Sequence, residues 1–281
     1  MRALISGATS YLGHRLAAAL IGRGDKVDVL LRKRSNPERL RALPVPPTEH
    51  LSSPGEAVAA ARPDLIFHLV APSSDVRAED VESFLSFSLQ LMDSAAATRK
   101  ARFINIGTWW QFSENSLYRP VNLYAAAKQA VHDLLVHYAT RGLPACTAVP
   151  YDVYGPGDWR GRFLSRLCAA FDQPLDATEG FQVVDLVHVV DVVSGLLAAS
   201  EAPTDPEGCP VYTLGSGRRL TLRELADMVA AIAGRPPRVR WGVVPYGPGQ
   251  PLRPCPADRP PPGWTATIPL ERGIREVLAH G

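Results

Sequence analysis

The chain has little cysteine, little net charge and no long apolar run, and each shortage excludes a class of function. Its 281 residues include four cysteines, none in a CxxC pair, which argues against a zinc or redox site and predicts no metal. The formal net charge is only +2, so no strong basic field recruits nucleic acid or an anionic membrane surface. No apolar stretch approaches the ~20 residues that span a bilayer. We expect neither nucleic acid nor a membrane as a partner.

The amino terminus enters a buried strand at once. Met1 is followed by the run Ala3-Leu4-Ile5, which leads directly into a glycine-bearing turn. This leaves no room for a signal or transit peptide and predicts a cytoplasmic protein.

Short apolar runs alternate with longer segments of helical period, as in a parallel sheet covered on both faces. Strands are predicted at residues 2–6, 26–31, 64–70, 102–106 and 145–150, and helices at 12–22, 81–97 and 123–138. The proline-rich segment 43–54 should contain one more short strand. The pattern predicts an α/β fold, a Rossmann-type doubly wound parallel sheet with a smaller C-terminal lobe. We assign residues 1–154, with return segments at 183–214, to the domain that contains this sheet, and residues 155–182 and 215–281 to the smaller lobe.

The first chemical motif is a glycine-bearing turn between a predicted strand and a predicted helix. Such a turn lets the backbone approach a pyrophosphate and directs helix N-terminal amides at it. A tight turn from strand to helix needs glycine in any case, so the motif alone is a weak signal. The predicted cofactor contacts in this turn are Gly7, Thr9, Ser10, Tyr11, Leu12 and Gly13.

The next strand ends at Leu31 and is followed by Arg32, Lys33 and Arg34. An NAD-preferring site places an acidic residue near this point for the ribose hydroxyls. A basic triplet instead suits a 2′-phosphate, to which arginine donates charge-assisted hydrogen bonds. The triplet favours NADP(H), although it can also be an ordinary solvated loop.

A tyrosine and a lysine stand four residues apart on a predicted helix. Tyr124 and Lys128 therefore share one face, so the ammonium can lower the pKa of the phenol toward working pH. Just upstream, Thr108 places a hydroxyl at the end of a strand, where it can orient a substrate carbonyl. The glycine turn, the strand-end hydroxyl and the helix with Tyr124 and Lys128 follow one another in this order. Their occurrence together by chance is much less likely than that of any one of them, so the set is a more specific signal.

These features together resemble the extended short-chain dehydrogenases/reductases over nearly the whole chain. The matching stretches are GATSYLG from Gly7, DLIFHLVAP from Asp64, FINIGT from Phe103, YAAAK from Tyr124, YDVYGPGD from Tyr151, DLVHVVDVV from Asp185 and YTLGSG from Tyr212. The resemblance implies nucleotide-sugar or similar small-molecule substrates and a homodimer formed through the helix of Tyr124 and its neighbour. Within the family, GTWWQF and RPVNLYAAAKQA look most like the sugar-nucleotide 4-ketoreductases of deoxysugar pathways.

The resemblance assigns further roles to individual residues. Thr108, Tyr124 and Lys128 correspond to the catalytic hydroxyl, the acid and the lysine that also holds the nicotinamide ribose. Tyr151 falls where the family touches the nicotinamide, and Asp152 where a substrate-facing Asn often stands. The segment beside the cofactor comprises Leu69, Val70 and Ala71.

Some positions depart from the family pattern. Ser10 replaces the middle glycine of the cofactor turn, where its hydroxyl can still bond a phosphate oxygen. Val184 stands where many relatives have an arginine for the substrate's diphosphate, which weakens the inference of a nucleotide sugar. Arg253 matches a second such arginine, and Arg160 and Arg162 offer additional charge.

The pair Trp109 and Trp110 follows Thr108, where sugar-nucleotide 4,6-dehydratases carry an acidic pair. Indoles have no titratable group for elimination, so we expect a reductase in which the two tryptophans contact substrate or belong to the core. The predicted function is NADPH-dependent reduction of the 4-keto group of a nucleotide-linked 4-keto-6-deoxyhexose. A 4-epimerase with retained NAD(P) and a non-catalytic NADP-binding regulator remain the alternatives.

Overall fold

A seven-stranded parallel sheet forms the centre of the computed structural model, which describes residues 1–33, 35–72, 76–112, 119–203, 205, 208–247, 250–255 and 258–280. In chain order the strands and α-helices are β1 (Arg2–Ser6), α1 (Tyr11–Gly22), β2 (Lys26–Leu30), β3 (Thr48–His50), α2 (Pro54–Ala61), β4 (Leu65–His68), α3 (Ala78–Thr98), β5 (Arg102–Ile106), α4 (Leu123–Ala139), β6 (Ala145–Pro150), β7 (Asp152–Tyr154), α5 (Phe163–Ala169), β8 (Leu175–Asp176), β9 (Val183–His188), α6 (Val189–Glu201), β10 (Val211–Leu214), β11 (Arg219–Thr221), α7 (Leu222–Ala233), β12 (Val239–Arg240) and α8 (Leu270–Ala279).

The strand order across the sheet is β10-β6-β5-β4-β1-β2-β3. The chain moves outward from β1 through β2 to β3 and then returns to the other side of β1 at β4. Open α/β sheets bind ligands outside the carboxyl ends of the strands at such a reversal. The topology therefore directs attention to the loops after β1 and β4.

Both faces of the sheet are covered, which explains why its strands are mostly apolar. Ala3 and Ile5 belong to the core cluster under α1 and α6, whereas Leu4 belongs to the cluster under α2, α3 and α4. Successive residues of a strand point to opposite faces, so a strand buried on both sides is apolar at most of its positions. The predicted fold class is confirmed.

A third cluster forms a smaller lobe at the carboxyl edge of the sheet. α8 contributes Leu270, Ile274 and Val277, whose spacings of four and three place them on one helix face, and they are buried with residues of α5 and α7. A two-stranded sheet, β12-β8, belongs to the lobe, and a three-stranded sheet, β11-β9-β7, joins the lobe strand β11 to two strands of the segments assigned to the larger domain. None of the helices among the described residues has the length and hydropathy to cross a bilayer.

The element bounds differ from the predicted ones mainly at their ends. The strand predicted at residues 64–70 is β4 and stops at His68, and the helix predicted at 81–97 begins at Ala78. The short strand expected within 43–54 is β3. Helix α2 was not among the predicted elements.

Candidate active site

The turn between β1 and α1 has no room for side chains at its two glycines. Gly7 has φ +85°, and a Cβ there would lie 2.8 Å from the carbonyl carbon of Leu69. A Cβ on Gly13 would lie 2.2 Å from the Gly7 carbonyl oxygen. The backbone at Gly7, just after β1, is thus in close contact with both the start of α1 and the segment that follows β4. This geometry suits a dinucleotide pyrophosphate, which needs close backbone approach and helix N-terminal amides.

Ser10 is the N-cap of α1, and its exposed Oγ accepts a hydrogen bond from the Gly13 N–H at 3.0 Å. The hydroxyl therefore stabilises the helix start and keeps its own proton for a further acceptor. Tyr11 and Leu12 are buried, and the Tyr11 hydroxyl donates to the Pro156 carbonyl at 3.1 Å. Tyr11 thereby joins the turn to the loop at residues 155–162.

Arg39, which the sequence motifs did not identify, also meets this turn. Its Nη1 donates to the Thr9 carbonyl at 3.1 Å, and its guanidinium lies 4.5 Å from the ring centroid of Trp159. Arg39 follows β2 in a short 3-10 helix, Pro37–Leu40. Because Arg39 lies outside the basic triplet, its proximity to the turn becomes visible only from its tertiary contact with Thr9.

Arg32 and Lys33 lie exposed after the carboxyl end of β2, next to the strand that carries the glycine turn. The Arg32 N–H donates to Ser35 Oγ at 2.9 Å, so the segment folds back as a turn. Arg34, the third member of the triplet, lies outside the described residues. The preference for NADP that this segment suggests stays a prediction.

Thr108 ends the segment after β5 and caps a 3-10 turn. Its backbone N–H donates to Gln111 Oε1 at 2.7 Å, and its Oγ1 accepts from the Trp110 N–H at 3.4 Å. The buried Gln111 in turn donates from Nε2 to Gln129 Oε1 of α4 at 2.6 Å. A chain of hydrogen bonds therefore connects the Thr108 segment to the helix of Tyr124 and Lys128. Sequence reasoning missed both glutamines.

Lys128 is buried and reaches the ends of two central strands. Its Nζ donates to the carbonyls of Val70 at 2.9 Å and Ile106 at 2.8 Å, and it lies 5.4 Å from the Phe84 ring centroid. Burial lowers the pKa of the ammonium to about 7. The ammonium is thus held at the segment that also borders Gly7, beside the proposed cofactor turn.

Tyr124 stands one helical turn before Lys128, and α4 begins at its Asn122 N-cap, whose Oδ1 accepts from the Ala125 N–H at 2.9 Å. Burial raises the pKa of the Tyr124 phenol, and the positive charges of Arg162 and Arg160 oppose this shift. The expectation that Lys128 lowers the pKa of Tyr124 is therefore wrong for the structure described here. The Lys128 ammonium instead contacts the strand carbonyls, and desolvation of the phenolate dominates.

Aromatic side chains cover the other side of Thr108. Trp109 is buried and stacks on Tyr151 at 6.3 Å, and Trp110 meets Trp109 edge to face at 6.0 Å. The Tyr151 hydroxyl donates to the Cys255 carbonyl at 2.9 Å, and burial raises its pKa. Tyr151 thus fastens a loop of the lobe, and a contact with the nicotinamide stays a prediction.

Two adjoining cavities open between the sheet edge and the lobe. The smaller, of about 160 Å³, is lined by Trp109, Trp110 and Asp152, and the larger, of about 510 Å³, by Arg253 and Arg219. Val183 lines both, so the predicted substrate residues around them share one region. Arg219 was not predicted. It is paired across the sheet with Asp185, next to the position of Val184.

Arg160 is the predicted substrate residue that the structure places elsewhere. Its guanidinium makes two 2.7 Å hydrogen bonds to the Asp158 carboxylate and a third, of 2.8 Å, to the Val153 carbonyl. It lies 4.9 Å from the Tyr11 ring centroid and lines neither cavity. These contacts hold the loop at residues 155–162 together, and a role in substrate binding stays a prediction.

The Rossmann-type sheet, its glycine turn and the neighbouring Thr108, Tyr124 and Lys128 are features of a nucleotide-dependent oxidoreductase. Residues 3–215 match the model of the NAD dependent epimerase/dehydratase family. The chain belongs to that family, and the resemblance to the extended short-chain dehydrogenases/reductases is confirmed.

The chain is similar to enzymes that act on nucleotide sugars. CDP-abequose synthase of Yersinia pseudotuberculosis is 25% identical over 223 residues, covering 76% of this chain and 79% of that protein. dTDP-glucose 4,6-dehydratase of Streptomyces griseus is 28% identical over 274 residues, covering 86% and 80%. A crystal structure of UDP-glucuronic acid 4-epimerase from Bacillus cereus, with UDP-glucuronic acid and NAD, matches at TM-score 0.86 and 19% identity and covers 100% of this chain and 98% of that one. That structural likeness shows the fold.

Proposed function

We propose that this protein uses NADPH to reduce the 4-keto group of a nucleotide-linked 4-keto-6-deoxyhexose. The observation that supports the proposal is that α4 carries both Tyr124 and Lys128, that Lys128 Nζ reaches the ends of two strands, and that hydrogen bonds join α4 to the Thr108 segment. Trp109 and Trp110 occupy the segment after Thr108 and have no titratable group with which to eliminate water. Reduction therefore suits this site better than dehydration.

In the proposed mechanism the bound nicotinamide supplies the hydride. Tyr124 donates its phenolic proton to the keto oxygen, and Thr108 orients that oxygen by a hydrogen bond. Lys128, buried with its Nζ on two strand carbonyls, holds the ribose side of the site. Because the pKa of Tyr124 is raised, the phenol is fully protonated at neutral pH and ready to act as the acid.

The test is oxidation of NADPH, followed at its absorbance maximum, with CDP- and dTDP-linked 4-keto-6-deoxyhexoses. Tyr124→Phe should lower turnover by about a hundredfold or more, because general acid catalysis typically contributes that much, and should leave the Kd for NADPH unchanged. Tyr138→Phe, on the exposed end of the same helix, is the matched control. Turnover of Tyr124→Phe near that of the native protein would remove Tyr124 from the acid's role.

The preference for NADPH is supported by the position of Arg32 and Lys33 after β2. Replacing both with Ala should raise the KM for NADPH about tenfold or more and leave that for NADH nearly unchanged, because only NADPH carries the 2′-phosphate. Lys26→Ala is the control, since Lys26 is also exposed but lies at the opposite end of β2. Equal effects on both cofactors would contradict the assignment.

Two other outcomes would favour the alternatives. A 4-epimerase would interconvert two nucleotide sugars with no net oxidation of NADPH and would retain its cofactor through purification. A regulator would bind NADP without turnover on any ketone. The retained Tyr124 and Lys128 favour an enzyme over the regulator.

We propose that the lobe at residues 155–182 and 215–281 binds the substrate, with Arg253 near its phosphates.

We also propose a homodimer through α3 and α4, because partly exposed apolar side chains remain on these helices, among them Phe87 and Leu134. Light scattering should then report twice the 30.4 kDa chain mass. Leu134→Arg should give monomers and Val244→Arg, in the lobe, should not.

A further inference from the structure

The smaller cavity beside Thr108 has an unusual combination of walls. Three aromatic side chains, those of Trp109, Trp110 and Phe163, line it together with the carboxylate of Asp152. Its volume of about 160 Å³ suits a single small ring. The proposed reaction does not by itself require an acid at this place.

The Asp152 carboxylate is only partly satisfied by the protein. The buried Oδ2 of this carboxylate has no hydrogen-bond partner among the described residues. A buried carboxylate oxygen without a donor is costly, so such groups normally meet a cation or a hydrogen-bond donor. Asp152 itself is one of the residues that line the cavity in which a substrate would lie.

The pKa of Asp152 lies above the ordinary carboxyl value, which makes its ionisation sensitive to acid. Burial, and then the neighbouring Asp185 carboxylate, raise the pKa of Asp152 to about 6, and Arg162 before α5 acts against this. On the other side, Arg219 of β11 acts on Asp185. At pH 7.5 the cavity therefore contains a carboxylate among aromatic side chains, and Gln182 and Gln250 also line it.

We infer that this cavity recognises a protonated amine on the substrate, close to the keto group, with Asp152 as its counter-ion. Aromatic faces attract cations electrostatically, and a carboxylate pairs with an ammonium through charge-assisted hydrogen bonds. A hydroxyl in the same place gains a weaker, neutral-donor hydrogen bond, and an anionic substituent is repelled. The inference rests on the proposed function for the ketone and names an amino-substituted substrate as its class.

The experiment compares two probes that differ only in the recognised group, cyclohexylammonium and cyclohexanol. Their Kd values are measured by ligand-observed NMR at pH 7.5, on the full chain with NADP present. We expect the ammonium to bind about tenfold more tightly or better, since charge-assisted hydrogen bonds are roughly twice as strong as neutral ones. Asp152→Asn, which keeps the shape of the side chain, should bring the two Kd values within about twofold of each other.

Asp172→Asn is the matched control because Asp172 is an exposed carboxylate of the same lobe, and it should leave the preference intact. Lowering the pH to 5 should weaken ammonium binding in the native protein as Asp152 is protonated and should not change the binding of cyclohexanol. Equal affinity for both probes, no ammonium binding, or a preference that survives in Asp152→Asn would overturn the inference. This assay needs no turnover. Failure of the NADPH assay with an intact ammonium preference would therefore discard the reaction and keep the amine site.

Discussion

At the scale of single residues, the two glycines of the turn between β1 and α1 show how little space the backbone leaves there. Gly7 adopts a positive φ and Gly13 lies against the Gly7 carbonyl, so each position excludes a side chain for its own reason. The spacing of the two glycines was visible in the sequence. The contact of Gly7 with Leu69 depends on the return of the chain to β4.

Gly13→Ala should raise the Kd for NADPH about tenfold or more, because its Cβ would lie 2.2 Å from the Gly7 oxygen and displace the start of α1. Fluorescence titration with NADPH measures the effect. Gly22→Ala, in the last turn of the same helix, meets nothing within 4 Å and should stabilise the fold by about 0.5–1 kcal/mol without changing the Kd. Equal Kd values for the two variants would show that the turn does not bind the cofactor.

At the scale of elements, α2 was not predicted, although the sequence contains a recognisable helix start before it. Ser53 and Glu56 form a reciprocal capping box, and Pro54 stands at the first helical turn. This S-x-x-E signature was present in the sequence. The preceding segment is rich in proline and was interpreted as a loop with one short strand. For this reason the capping signature was overlooked.

Ser53→Ala should lower the free energy of unfolding by about 1 kcal/mol, because the Glu56 N–H loses its side-chain acceptor. Ser52→Ala is the matched control, since Ser52 Oγ makes only a 3.5 Å contact to the Ser53 carbonyl. Urea unfolding of the two variants checks the difference. A loss of similar size in both would assign it to something other than the cap.

The bond between Gln111 and Gln129 connects two elements of the site, the 3-10 turn after β5 and α4. Gln129→Met should lower kcat about tenfold and leave the Kd for NADPH unchanged, because small displacements of the Thr108 and Tyr124 groups reduce the fraction of aligned complexes. Gln90→Met, at an exposed position of α3, should change neither value. An unchanged kcat in Gln129→Met would mean that other contacts align the site.

At the scale of the whole molecule, the central sheet contains a titratable group in its core. His68 is fully buried, with Nδ1 2.8 Å from Ser6 Oγ and Nε2 2.9 Å from Ser88 Oγ. Burial, and then the charges of Lys128 and Arg32, lower its pKa to about 3. The folded chain thus holds His68 neutral where the unfolded chain would protonate it.

The unfolded chain therefore binds more protons between pH 6.5 and 3, so stability is full above pH 6.5 and is lost as the pH falls through this window. Between pH 7 and 5 the histidine should contribute a loss of about 2 kcal/mol in the free energy of unfolding. Urea unfolding at both pH values, compared with His68→Gln, isolates this contribution. The same pH dependence in the variant would contradict it.

The sequence by itself determined the layered α/β architecture, and it pointed to the glycine turn, Thr108, Tyr124 and Lys128 as the candidate site. Hydrophobic periodicity and short motifs are local properties, and residues four apart on a helix share a face regardless of what surrounds them. Only the tertiary structure decided where Lys128 donates its protons and how burial shifts the pKa of Tyr124. It also decided that Arg160 pairs with Asp158, and that Asp152 and three aromatic rings from separate segments line one cavity. Desolvation and hydrogen bonding depend on every element that surrounds a group, and distant segments meet only when the chain folds.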